Sequence, residues 1–208
     1  MKFALCLLAI FGCATAQFSS TAQGQIVDAH NKLRSAIAQG SYVAAGTQEP
    51  SASNMRKIVW DETVAAAAQE YAEGCPDDHS GTSYGENLYW SWSSSAPSSL
   101  DKFGVAASNS WESEFQKYGW TSTFLDEAGF ATGIGHATQM AWAETSKIGC
   151  GIKNCGKDAN KKNMYKVAVV CQYDSAGNMM DSDIYQQGET CSACSEDASC
   201  EQDSGLCA

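Results

Sequence analysis

The sequence predicts an α+β fold. Three observations carry that prediction: three segments repeat apolar side chains at helical spacing, one β-branched apolar run has a short apolar partner, and no internal repeat is present. The first helix covers 24–39, where Ile26, Val27, His30, Leu33 and Ile37 recur on one face. The second runs from Asp61 to Glu73, with Val64, an alanine run and Tyr71 facing the core. Asp61 serves as N-cap or first-turn acid, and Gly74 ends the helix. Ser91 to Ser99 is Ser-rich and contains Pro97, so it reads as a loop. Leu100 to Tyr118 forms the third helix, with Phe103, Ala107, Trp111, Phe115 and Tyr118 in register. Met164 to Tyr173 is a buried strand, and Ile148 to Ile152 is its hairpin partner. Lys153, Lys157, Lys161, Lys162 and Lys166 read as a solvated basic loop.

The 208-residue length fits one domain with a small appendage. A hydrophobic content of 44% excludes a disordered acidic chain. The formal net charge of −11 argues against nucleic-acid binding and against attraction to anionic membranes. Residues 1–16 read as a secretory signal: Lys2 supplies the positive end, Phe3 to Cys13 an apolar stretch too short to span a bilayer, and Ala14-Thr15-Ala16 the cleavage site. No transmembrane segment is expected elsewhere, and the expected location is extracellular. Removal of Lys2 makes the mature charge −12. Eight acids and no Lys or Arg fall within 174–208, so most of that charge belongs to the C-terminal end. Cys6 and Cys13 leave with the signal. The remaining eight cysteines are an even number in an oxidising compartment, which reads as four disulfides whose connectivity arithmetic alone does not choose.

With only three histidines, each can be weighed singly. His136 lies in G-I-G-H-A-T-Q-M-A-W, His79 a few residues before Glu86, and His30 on the first helix. Glu114 lies on the inner side of the third helix. A pair of histidines with a pair of carboxylates can hold zinc or move protons, and it can equally be an ordinary hydrogen-bonded cluster. The zincin helix, the serine-hydrolase elbow, the P-loop and the dinucleotide fingerprint are all missing. Cys191-x-x-Cys194, with Cys200 and Cys207 close by, reads as a structural staple rather than a redox pair.

Four ordered motifs spanning roughly residues 26–178 carry a family resemblance. Gly135-His136-Ala137-Thr138-Gln139-Met140-Ala141-Trp142, followed by Lys147-Ile148-Gly149-Cys150-Gly151, resembles the main signature of the CAP superfamily. That superfamily groups cysteine-rich secretory proteins, insect venom antigen 5 and plant pathogenesis-related proteins. Cys171-Gln172-Tyr173, with Gly177-Asn178, resembles its second signature. His30-Asn31-x-x-Arg34 and Gly85-Glu86-Asn87-Leu88-Tyr89 match two shorter ones. The single domain, the alanine after the signature histidine and the short Cys-rich end are most similar to the activation-associated secreted proteins of parasitic nematodes. Ala137, Ser175 and Ala168 depart from the commoner residues; the first is expected to alter one wall of the cleft, the others strand packing and a turn.

The resemblance implies a three-layer α-β-α sandwich over 17–187, with a short Cys-rich hinge-like extension over 188–208. It implies a central cleft holding the tetrad His79, Glu86, Glu114 and His136. There the two histidines bind a divalent metal such as zinc in a weak, open site that empties as imidazole protonates below about pH 6. His30 is expected to make a structural contact instead. The resemblance pairs Cys75 with Cys155, Cys150 with Cys171, Cys191 with Cys200 and Cys194 with Cys207. It implies a secreted, non-enzymatic effector that meets a host protein or receptor, and it permits sterol or fatty-acid binding and a homodimer. Tyr84, Tyr89, Trp90 and Trp92 are the aromatics that could face an apolar ligand. Because the sequence stops at Ala208, without the cysteine-rich domain of venom members, ion-channel regulation is disfavoured. The alternatives are a zinc-dependent hydrolase, a protease with Glu86 or Glu114 as base, and a purely structural polar cluster.

Overall fold

The computed structural model describes residues 17–208. The signal peptide expected over 1–16 lies outside the described residues. Helix α1 (Ser20–Ala38) starts at Ser19, whose hydroxyl accepts the Ala22 amide, and it buries Ala22, Ile26, His30, Leu33, Arg34 and Ile37. The short strands β1 (Val43–Ala44) and β2 (Thr47–Gln48) pair with each other. Strand β3 (Val59–Trp60) leads into α2 (Glu62–Glu73), whose N-cap Asp61 accepts from Thr63 and Val64. Then come β4 (Gly85–Ser93), α3 (Lys102–Tyr118), β5 (Phe124–Leu125), and the short helices α4 (Glu127–Phe130) and α5 (Gly135–Ala141). The long hairpin β6 (Lys147–Asp158) and β7 (Met164–Asp174) follows, then β8 (Ser182–Asp183), β9 (Cys200–Glu201) and β10 (Leu206–Cys207).

One four-stranded sheet, in the order β3-β6-β7-β4, divides the molecule. Strand β3 is parallel to β6, and the other pairings are antiparallel. Strand alternation sorts the side chains. Ile148, Cys150, Ile152, Val167, Val169, Cys171 and Tyr173 enter the main core, which they share with the buried faces of α1, α3 and α5. Leu88 and Val170 face the other way, onto Ala68 and Ala72 of α2. A three-layer α-β-α sandwich results.

The second helix lies unusually close to the sheet, and the sequence explains why. A Cβ added at Gly149 would sit 2.0 Å from the Ala65 amide nitrogen, and one at Gly151 would sit 2.3 Å from the Gln69 Cα. Glycine on the strand and alanine on the helix let the two backbones approach. Beyond the end of β3, Gln69 takes over the role of a neighbouring strand: its Oε1 accepts the Ile152 N–H at 2.9 Å and its Nε2 donates to the Ile152 carbonyl at 3.1 Å. These main-chain groups would otherwise be buried without a partner.

Two local readings of the sequence are corrected. Ser91 to Ser93 belong to β4, where they pair with Val167, Lys166 and Tyr165. The serine-rich loop therefore begins later, because a long partner strand supplies the hydrogen bonds that serine propensity does not. The lysine run is solvated only in part: Lys157, Lys161 and Lys162 are exposed at or beside the hairpin turn, whereas Lys153 and Lys166 lie on β6 and β7. Lys153 pairs with Glu73, buried Lys166 with Asp77, and Lys161 lies over the Trp92 ring.

The described residues form four disulfides: Cys75–Cys155, Cys150–Cys171, Cys191–Cys200 and Cys194–Cys207. The Cys-rich end does not build its own core. Leu206 is buried in the main one, the Cys207 amide donates to the Met55 carbonyl, and Thr190 donates to the Ala38 carbonyl at the end of α1.

Candidate functional site

The site is assembled from four elements. The loop after α2 brings His79, β4 brings Glu86, α3 brings Glu114, and α5 brings His136 as its second residue. All four side chains line one cavity of about 330 Å³, together with Asn87, Phe130 and Asn178. Each glutamate holds one histidine by the same device. Glu86 Oε1 accepts from His79 Nδ1 at 3.0 Å and from the Ser80 amide at 2.8 Å, while Oε2 accepts from Gln172 at 2.9 Å. Glu114 Oε1 accepts from His136 Nδ1 at 2.6 Å, while Oε2 accepts the His136 and Ala137 amides at 3.0 and 3.1 Å. Glu114 thereby also caps the start of α5, where unpaired amides favour a negative charge.

The carboxylates are sheltered and the imidazoles are open. The Glu86 side chain is 5% exposed against 56% for His79; the Glu114 side chain is 16% exposed against 36% for His136. Burial alone would raise the Glu86 pKa, yet hydrogen bonds from the Ser80 hydroxyl, Gln172, the Ser80 amide and His79 outweigh it and hold the carboxyl below its ordinary range. Glu86 stays ionised beside its histidine.

A buried polar chain fixes the floor of the cavity. His30 donates from Nδ1 to the Ile26 carbonyl at 2.8 Å, and its Nε2 accepts the Tyr173 hydroxyl at 2.9 Å. Asn87 donates to the Tyr173 oxygen at 3.1 Å and to the His136 carbonyl at 3.0 Å. The first helix is thus tied through three side chains to the backbone of a site residue. Burial pushes the His30 pKa down to about 4, so this ring stays neutral.

Arg34 does a related job. Its guanidinium is fully buried and donates to five carbonyls, those of Arg56, Met140, Trp142, Ala143 and Thr145. Desolvation lowers its pKa to about 9, still well above neutral pH. Gln139 locks the second signature to the first by accepting the Gly177 amide at 2.8 Å. A Cβ at Gly85 would fall 2.1 Å from that same Gln139 oxygen, so a side chain there would displace the Gln139 amide. Asn178 accepts from Thr138 and donates to the Gly135 carbonyl.

Sequence reading names His79, Glu86, Glu114 and His136, and the cavity unites them. It gives no role to Asn87, Arg34, Gln139 or Tyr173, which hold the site from behind. Their only sequence signal is membership of the four motifs. Ala137, expected to form one wall of the cleft, is fully buried in the core and is not among the residues that line the cavity. Trp90 and Trp92 line a separate cavity of about 420 Å³ with Asp77, Asp158 and Lys166. The tetrad does not close into a cluster of three or more donors. Among the described residues, the one set of three such atoms within 4.8 Å of one another is Cys191, Cys194 and Cys207, all in disulfides.

A three-layer sandwich with two carboxylate-held histidines in an open cleft defines a CAP-type domain. The profile of the CAP family, described as the cysteine-rich secretory protein family, matches residues 27–173, and the chain belongs to that family. It is 36% identical to human Cysteine-rich secretory protein 2 over 203 residues, covering 89% of this chain and 68% of the relative. It is 35% identical to the Ancylostoma secreted protein of Ancylostoma caninum over 189 residues, covering 86% of this chain and 42% of that one, so it spans less than half of the hookworm protein. Among solved structures, NaASP2 with Zn2+ superposes with a TM-score of 0.80 at 36% identity, covering 95% of this chain and all of the other. No helix among the described residues is long and apolar enough to cross a membrane.

Proposed function

We propose that this chain is a secreted, non-enzymatic CAP-domain effector that engages a host protein and holds one divalent cation, zinc above others, in its cleft. One observation carries the metal reading. In both His79 and His136 the Nδ1 faces a glutamate, and the Nε2 of each makes no hydrogen bond among the described residues. A carboxylate on one ring nitrogen fixes the tautomer and leaves the other nitrogen's lone pair for a metal. The imidazoles are the ligands, and the glutamates orient them. Two protein ligands leave the remaining positions to water, which makes binding weak and exchangeable. When bound, the cation supplies a positive centre and polarised water at the cleft mouth.

The similarity to the Ancylostoma secreted protein supports secretion. NaASP2 is a zinc-containing structure, and that similarity supports zinc here. The hydrolase reading needs Glu86 or Glu114 as base. Each carboxylate already accepts three hydrogen bonds across its two oxygens, and at Glu86 these hold the carboxyl below its ordinary range and weaken it as a base. Calorimetric zinc titration near pH 7.5 tests the proposal. Wild type is expected to bind one zinc, with affinity lowered about tenfold or more in His79→Ala and in His136→Ala. Equal titrations of wild type and both variants would end the metal reading. Zinc- and His136-dependent cleavage of a peptide library would replace it with the hydrolase.

A further inference from the structure

Most exposed large apolar side chains of this protein collect on one face. Among the described residues seven are exposed, and five of them are Tyr118, Phe124, Phe130, Met179 and Met180, each 43–56% exposed. They come from two segments far apart in sequence. Pairing of β5 with β8, which sets Phe124 opposite Asp183, joins those segments, and so does the Asp181 amide on the Leu125 carbonyl. Between Tyr118 and Phe124 lies a cavity of about 320 Å³, floored by Trp120, Leu125 and Ile134. That volume accommodates one large apolar side chain. The face is continuous with the cleft: Phe130 lines both, and Met179 follows the cleft residue Asn178.

The rim is predominantly acidic. Asp126, Glu127, Asp181 and Asp183 are exposed, and none forms an ion pair among the described residues. Lys117 donates to the Tyr118 hydroxyl at the same edge. Exposed aromatic and methionine side chains grouped around a pocket mark an interaction surface, and methionine adapts to varied partners. An acidic rim repels an anionic bilayer and repels a second copy of this acidic chain. It attracts a basic protein segment.

We propose that this face docks a cationic, apolar-anchored protein segment: one large apolar side chain in the pocket between Tyr118 and Phe124, with Lys or Arg of the partner against Asp126, Glu127, Asp181 and Asp183. This deepens the proposed effector role and rests on it, but it does not rest on the cation. Seated there, the partner also covers one side of the cleft mouth.

The test uses a synthetic peptide with phenylalanine and leucine between lysines, and a second peptide with glutamate replacing each lysine. Binding to the full mature chain is followed by fluorescence anisotropy. Wild type is expected to bind the cationic peptide. Phe124→Ser with Met180→Ser, and separately Asp181→Asn with Asp183→Asn, are each expected to weaken it about tenfold. These residues are exposed, so unchanged circular dichroism and unchanged zinc titration show that fold and cleft survive. Four results would overturn the proposal: equal binding by the variants, equal binding of the acidic peptide, self-association abolished by Phe124→Ser, or capture of the protein by anionic vesicles. None of the four would alter the zinc titration, so failure of this surface and failure of the metal site are distinguishable.

Discussion

His30 and His136 sit at opposite ends of one hydrogen-bonded chain, yet only one is free to act on a ligand. Both nitrogens of His30 are engaged, one by the Ile26 carbonyl and one by the Tyr173 hydroxyl, inside a fully buried site. His136 and His79 each have one nitrogen on a glutamate and the other bare, facing an open cavity. A histidine with both nitrogens satisfied in a sealed interior is scaffold, and one with a single nitrogen satisfied at an opening is a ligand. The difference lies in the partners, not in the residue type.

The sealed region should break most severely. Arg34→Met takes a donor from five carbonyls, of which those of Trp142 and Ala143 keep a backbone N–H, and each buried carbonyl left without any donor costs about 1–3 kcal/mol. Urea unfolding with the disulfides intact should show a total loss of at least about 3 kcal/mol, while a loss below about 1 kcal/mol would mean that water replaces the guanidinium. The next effect is one of pH. The folded His30 pKa lies near 4, below the ordinary value of 6.5, so the unfolded chain binds the extra proton. Stability from this group is full above about pH 6.5 and is lost as pH falls toward 4, about 3 kcal/mol in all. His30→Gln should flatten that part of the stability profile.

The open region should respond in affinity before stability. Glu114→Gln disturbs the orientation of His136 and is expected to weaken zinc about 10- to 100-fold while lowering stability by about 1 kcal/mol. A variant that loses stability but keeps zinc affinity would make Glu114 a cap alone. At the bottom of the scale is the exposed Arg56–Asp197 pair at 2.9 Å. Asp197→Asn should leave the urea-unfolding midpoint indistinguishable from wild type, because exposed ion pairs contribute little.

Legibility in the sequence followed the same division. The third helix could be read because Phe103, Ala107, Trp111 and Phe115 recur at helical spacing and are all buried. Strand β4 could not. Its sequence G-E-N-L-Y-W-S-W-S mixes strand-favouring Tyr89, Trp90 and Trp92 with Gly85, Asn87 and serines that favour turns, and nine pairings with β7 decide the outcome. Lys153 and Lys166 misled for the same reason, since their partners Glu73 and Asp77 are remote in sequence. The tetrad was legible only through the family resemblance, because His79 and Glu114 lie outside the four motifs, and Glu114 meets His136 across 22 residues, a distance no local periodicity records. The division of labour between His30 and the other two histidines rests on the partners of each ring nitrogen, which no motif spells out.

With only three histidines in the chain, one spectrum can test that division directly. Long-range 15N–1H correlation of the imidazoles, recorded near pH 7.5 before and after zinc, reads each ring nitrogen separately. His79 and His136 should begin with the proton on Nδ1, and zinc should shift their Nε2 resonances and leave both nitrogens of His30 in place. A zinc-induced shift at His30, or none at His79 and His136, would contradict the account.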